Sequence, residues 1–165
     1  MRTSSRPRLL HIGSISHGTL RPEDLIPSFL WEAEHLRLTR AERHIVARIR
    51  RESDKWAEDG DSDVIHTDDQ DEALEHLCDI LNAHCPDYCH FGAHEGDGSD
   101  FGVWPTSVED MQAEGFVFVG ERRDVPKVKP TSSLYYTHCA EVNDHGNVTL
   151  YRRSGRTWRE VWSVV

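Results

Sequence analysis

Tyr88-Cys-His-Phe-Gly-Ala-His-Glu-Gly-Asp-Gly-Ser-Asp-Phe-Gly-Val-Trp-Pro105 holds four glycines, two histidines and three acids between two aromatic runs. Aromatic and β-branched residues on either side of a Gly-Asp-Gly centre read as two strands, Tyr88 to Phe91 and Asp100 to Trp104, around a tip expected to need positive φ. This hairpin decides the fold class, because the chain before it has a helical period and the chain after it alternates like strands. His94, Asp97 and Asp100 fall on or beside the tip. They are candidate ligand-binding residues and candidate donors for a weakly held divalent cation. Glycine and aspartate are also what tight turns require.

Upstream, residues 1–16 are rich in Ser, Arg and Pro and read as a mobile basic arm or an edge strand at Leu9 to Ile12. Thr19 then caps a helix that has a proline and two acids in its first turn and apolar Leu25, Phe29, Leu30 and Leu36 on one face; Pro27 is expected to restart or kink it. A second helix starts at Thr39, where Thr39 and Glu42 form a capping box, and Ala41, Ile45, Val46, Ile49 and Trp56 trace one apolar face. The acidic run Asp68 to Glu72 opens a third helix through Leu74, Leu77, Ile80 and Leu81, which Cys85-Pro86 should end.

Downstream, Thr106 and Glu109 read as another capping box, for a short helix ending at Gly115. Phe116 to Val119, Leu134 to Val142, Asn147 to Arg152 and Thr157 to Val165 read as strands, with Asn143 to Gly146 a hairpin turn that places Gly146 at positive φ. Helices first and antiparallel strands last give an α+β class: one domain over residues 1–165, with N-terminal helices packed on a C-terminal antiparallel sheet of about five strands. At 165 residues one core is the expectation. No apolar run approaches the ~18 residues of a membrane helix, so no membrane partner and a cytoplasmic setting are expected. In that setting the four cysteines read as free thiols.

The net charge of -10 is unevenly spread. Residues 1–55 carry eleven Lys/Arg and seven Asp/Glu, residues 56–121 carry eighteen Asp/Glu and no Lys or Arg, and residues 122–165 carry eight basic against four acidic side chains. An acidic surface of this kind repels nucleic acid and attracts the basic groove of a protein that binds it. A protein partner with a basic surface is therefore expected, with no direct nucleic-acid contact. Asp68, Asp69, Asp71 and Glu72 are the candidate interaction residues.

Other motifs fail on spacing. Asp59, Asp61 and Asp63 imitate a calcium loop, but its sixth and twelfth positions hold Val64 and Gln70 instead of glycine and glutamate. Cys78, His84, Cys85, Cys89, His90 and His94 are the right donor types for zinc at the wrong intervals, and an alternating strand would split Cys89 from His90. Asp100-Phe101-Gly102 spells the magnesium triplet of protein kinases without the loops that accompany it. No cofactor is expected beyond the divalent cation at His94, Asp97 and Asp100.

Three stretches, Gly18-Thr-Leu-Arg-Pro-Glu-Asp-Leu-Ile-Pro27, Phe91 to Trp104, and Val142-Asn-Asp-His-Gly-Asn-Val-Thr-Leu-Tyr151 with the ending Glu160 to Val165, resemble a group of small proteins encoded by phages, plasmids and bacterial genomes. The group carries no established activity and transfers none; the resemblance implies a mobile-element origin. Two functions are then in contention. One is an acidic, non-catalytic interaction or inhibitor protein directed at a host nucleic-acid-binding or defence protein. The alternative is a metal-assisted hydrolase or small-ligand binder centred on His94, Asp97 and Asp100.

Overall fold

A computed structural model describes residues 9–59, 67–128 and 137–164. The fold is α+β, and the chain divides into two compact units, residues 1–105 and 106–165.

The first unit contains β1 (Gly13–Ser16), α1 (Pro22–Glu34), α2 (Arg40–Asp59), α3 (Thr67–Ala83), β2 (Cys89–His94) and β3 (Asp97–Pro105). Pro22 at the first helical position and Glu23 and Asp24 in the first turn favour the start of α1. Its N-cap is Arg21 and not Thr19; the Thr19 hydroxyl instead donates to Asp24 Oδ2 at 2.8 Å and accepts from the Arg21 N–H at 3.1 Å. α1 continues through Pro27 as one helix, so the helix does not restart there. The capping box of α2 forms as read: Thr39 N–H donates to Glu42 Oε2 at 2.6 Å, and Glu42 N–H to Thr39 Oγ1 at 3.2 Å.

The strands of this unit form a three-stranded antiparallel sheet in the order β1-β3-β2. The edge strand lies at Gly13–Ser16, four residues beyond the Leu9 to Ile12 segment that the sequence offered as an alternative to a mobile arm; Leu10 is buried, and its N–H donates to the His84 carbonyl at 3.1 Å. Phe29 of α1 sets the junction of helix and sheet, with its ring 5.0 Å from Phe91 and 5.7 Å from Phe101. Around it Leu25, Leu30, Ile49, Leu77, Leu81 and Val103 form one buried cluster.

The second unit contains α4 (Val108–Ala113), β4 (Val117–Val119), a 3-10 helix Arg122–Lys127, β5 (His138–Val142), β6 (Val148–Ser154) and β7 (Thr157–Val164). The N-cap of α4 is Ser107 rather than Thr106: its hydroxyl accepts from the Asp110 N–H at 3.1 Å and donates to Asp110 Oδ2 at 2.8 Å. Gly115, at φ 82°, follows the helix end as read. The sheet runs β4-β5-β6-β7, with β4 parallel to β5 and the other pairs antiparallel. The strands are thus shared between sheets of three and four. The Tyr88 to Trp104 hairpin finds its third strand upstream, in β1, and not among the C-terminal strands. Gly146 has φ 80°, and Asn143 Oδ1 accepts from the His145 and Asn147 N–H groups, which closes the β5–β6 turn as the sequence indicated.

Candidate functional site

The hairpin tip is tighter than its glycines implied. β2 and β3 pair up to His94 and Asp97, leaving Glu95 and Gly96 as the turn, and neither Gly96 nor Gly98 adopts positive φ. A register shift between Ala93 and His94 takes up the twist, and His94 Nδ1 accepts the Gly96 N–H at 3.1 Å. One donor atom of each candidate is then engaged locally. Asp97 Oδ1 accepts from the Ser99 N–H at 3.0 Å and the Ser99 hydroxyl at 2.8 Å, and these bonds hold the Asp97 carboxyl below the usual carboxylate range. Asp100 Oδ1 accepts from the Ser14 hydroxyl of β1 at 2.6 Å, and the His94 ring lies edge-on to Trp104 at 4.7 Å. His94 and Asp97 are brought together as cross-strand partners, whereas Asp100 is directed to β1. Among the described residues, no three His, Cys, Asp or Glu side chains are grouped so as to hold a metal ion.

The zinc-type donors fare similarly. Cys78, Cys85 and Cys89 are half-buried against the core of the first unit. Burial pushes the Cys85 thiol up to about 11; burial, with Cys85 and Asp87 adding to it, pushes Cys89 to about 12. Groups this reluctant to ionise are poor nucleophiles at neutral pH. Asp61, Asp63 and His66 lie outside the described residues, as does most of the acidic turn they belong to.

α3 is the best-organised polar surface. Ala73, Leu77, Ile80 and Leu81 are buried, while Asp68, Asp71, Glu72, Glu75 and Asp79 are exposed. At 3.6 residues per turn these five carboxylates fall within one stripe opposite the buried face. From Asp68 to Asp79 the stripe runs about 16 Å at a rise of 1.5 Å per residue. That is one negative charge every ~4 Å along the axis, close to the ~3.4 Å per phosphate along one strand of DNA. Asp69 is exposed too but lines a small cleft against α2, shared with Arg48, Lys55 and Trp56. Glu72 reaches both ways, accepting from Arg48 at 3.3 Å and from His76 at 3.3 Å. Of the four residues singled out at the helix start, Asp68 and Asp71 therefore belong to the outward stripe, Asp69 to the cleft, and Glu72 to both, at the edge where the stripe meets the cleft. Glu75 and Asp79 were missed, although their i+3 and i+4 spacing from Asp71, Glu72 and Glu75 was readable.

A second charged region lies on the opposite side of the charge ledger. Arg37, Arg43, Arg50 and Arg51 rim a shallow cleft of about 720 Å³ floored by Leu36, Leu38 and Val46. Within the unit, Arg50 binds Glu34 through two bonds of 2.9 and 2.8 Å, and Arg43 donates to the Leu38 carbonyl at 2.6 Å. Comparison with protein-family models, with curated proteins and with solved structures finds no match to this chain.

Proposed function

We propose that this protein is a non-catalytic interaction protein, of mobile-element origin, that presents the carboxylate stripe of α3 to the basic surface of a host nucleic-acid-binding or defence protein. The observation that carries this reading is the alignment of Asp68, Asp71, Glu72, Glu75 and Asp79 on the solvent face of a helix whose other side is anchored in the core. A rigid row of charges at near-phosphate spacing costs its partner little reorganisation, because a groove shaped for a nucleic-acid strand meets a similar charge density. Arg48 tempers the stripe only at Glu72, through an exposed pair, and exposed pairs are weak. The rival metal or small-ligand role at His94, Asp97 and Asp100 has no comparable support, since those side chains are bonded to Gly96, Ser99 and Ser14.

The test is capture of host proteins on the immobilised full chain, set beside a variant with Asp68→Asn, Asp71→Asn, Glu72→Gln, Glu75→Gln and Asp79→Asn. The expected result is a retained nucleic-acid-binding protein that the variant does not hold and that duplex DNA displaces. Retention that is equal on both, or that DNA leaves untouched, would sink the proposal.

A further inference from the structure

A pocket of about 350 Å³ lies in the second unit, between the 3-10 helix Arg122–Lys127 and the β6–β7 turn. Small-ligand sites begin at about this size. Its walls are unlike those of the two charged clefts of the first unit. Val125 and Pro126 form an apolar side, and Tyr151 and Trp158 form an aromatic one. Tyr151 is fixed in place: its ring is buried, and its hydroxyl donates to Glu141 Oε2 at 2.9 Å. Trp158 is half-buried and packs on the same small cluster as Val125 and Tyr151. Arg122 and Arg156 complete the lining.

The carboxylates around this pocket are engaged elsewhere. Glu121 pairs with Arg123, Asp124 with Lys127 at 2.6 Å, and Glu141 with the Tyr151 hydroxyl. Glu160 faces Tyr151 in the β6–β7 register but does not bound the pocket. Among the described residues, neither Arg122 nor Arg156 has an ion-pair or hydrogen-bond partner. Two uncommitted guanidinium groups therefore stand at an apolar, aromatic-walled pocket in the part of the chain where basic residues outnumber acidic ones. Guanidinium forks bind phosphate oxygens in pairs, and an indole offers its face to a planar ring. We propose that this pocket binds an anion bearing a planar aromatic ring, the chemistry of a nucleoside monophosphate, with the phosphate on Arg122 and Arg156 and the ring against Trp158. A small anion suits the site better than a nucleic-acid chain, which the net charge of -10 repels.

The experiment is calorimetric titration of the full chain with adenosine monophosphate, adenosine and inorganic phosphate in parallel. Adenosine monophosphate should bind at least about ten-fold more tightly than either fragment, since each fragment forfeits one set of contacts. Arg122→Gln and Arg156→Gln, both at exposed positions, should each weaken it by about ten-fold with an unchanged melting temperature. Trp158→Phe should retain binding and Trp158→Leu should lose it. No heat with adenosine monophosphate at millimolar concentration would overturn the proposal. So would phosphate binding as well as the nucleotide, or nucleotide binding indifferent to both arginine substitutions.

Discussion

Gly102 has no room for a side chain: a Cβ there would run into the carbonyl oxygen of Gly13 and sit 2.8 Å from the Trp104 ring. Gly98, in the same strand, has nothing within 4 Å and no positive φ. Gly102→Ala should therefore cost about 1–3 kcal/mol by forcing β1 away from β3, whereas Gly98→Ala should be neutral or slightly stabilising. Thermal melting of the two variants side by side checks this, and equal melting temperatures would refute it. In the sequence Gly98 reads as a turn glycine and Gly102 as an ordinary residue of the strand Asp100 to Trp104, because the neighbour that makes Gly102 necessary comes from a strand almost ninety residues earlier. Glu42 shows the reverse case, fully readable from the Thr39-x-x-Glu42 spacing. Burial works against its charge, but the Thr39 N–H and side chain and the His84 imidazole at 3.3 Å outweigh it and hold the carboxyl below the usual carboxylate range. A carboxyl depressed in the folded state contributes fully above the unfolded range, and that contribution is lost as pH falls through the folded value. Glu42→Gln should cost about 1 kcal/mol at pH 7 and close on the wild type as pH falls toward 3. Paired melting curves across that range would show the convergence, and a constant gap would exclude it.

At the level of elements, the helices and the hairpins were legible, and the pairing of strands distant in sequence was not. Apolar period located α1, α2 and α3, and the capping box fixed the start of α2, because the signals that make a helix lie within a few residues of each other. Strand partnership is non-local: nothing near Gly13 announces Val103, and nothing near Val117 announces a parallel neighbour at Cys139. Phe29 is where helix meets sheet, and Phe29→Ala should lose about 3–5 kcal/mol through a cavity facing Phe91 and Phe101. Denaturant unfolding measures that loss directly, and a loss under 1 kcal/mol would place the core elsewhere. The link from α3 to β2 carries Cys85, and β2 begins at Cys89; their folded thiols are raised from 9.0 to about 11 and about 12. A raised thiol stabilises the fold below its unfolded value and stops doing so as pH climbs through the folded one. Stability should thus decline from pH 9 upward. At pH 8 iodoacetamide should label these two cysteines slowly in native protein and quickly in denaturant, and rapid native labelling would contradict the burial described above.

Charge is the one property of the whole chain that the sequence displayed before any fold was known. Composition established that residues 56–121 hold eighteen carboxylates without a basic residue, but only the helix places five of them in a row and sets Asp69 and Glu72 at a cleft shared with Arg48 and Lys55. The eighteen are consequently not one uniform surface. Asp97 and Asp100 are spent on Ser99 and Ser14, and the stripe on α3 is the portion arranged to act at a distance. Long-range attraction between such a stripe and a basic partner is screened as the Debye length falls from about 10 Å at 0.1 M salt to about 3 Å at 1 M. The association rate should therefore drop steeply with salt for the wild type. For the five-fold neutralised α3 variant it should be slow and nearly flat, while Asp144→Asn, in the exposed β5–β6 turn, should leave the wild-type slope intact. The variant will also lose the helix-start stabilisation of Asp68, about 0.3–1 kcal/mol, so melting temperature must be followed in the same salt series to separate folding from encounter. Stopped-flow association with the partner retained in the capture experiment supplies the rates. A wild-type rate that does not respond to salt would mean that contact is made through some other face, whatever the stability of α3.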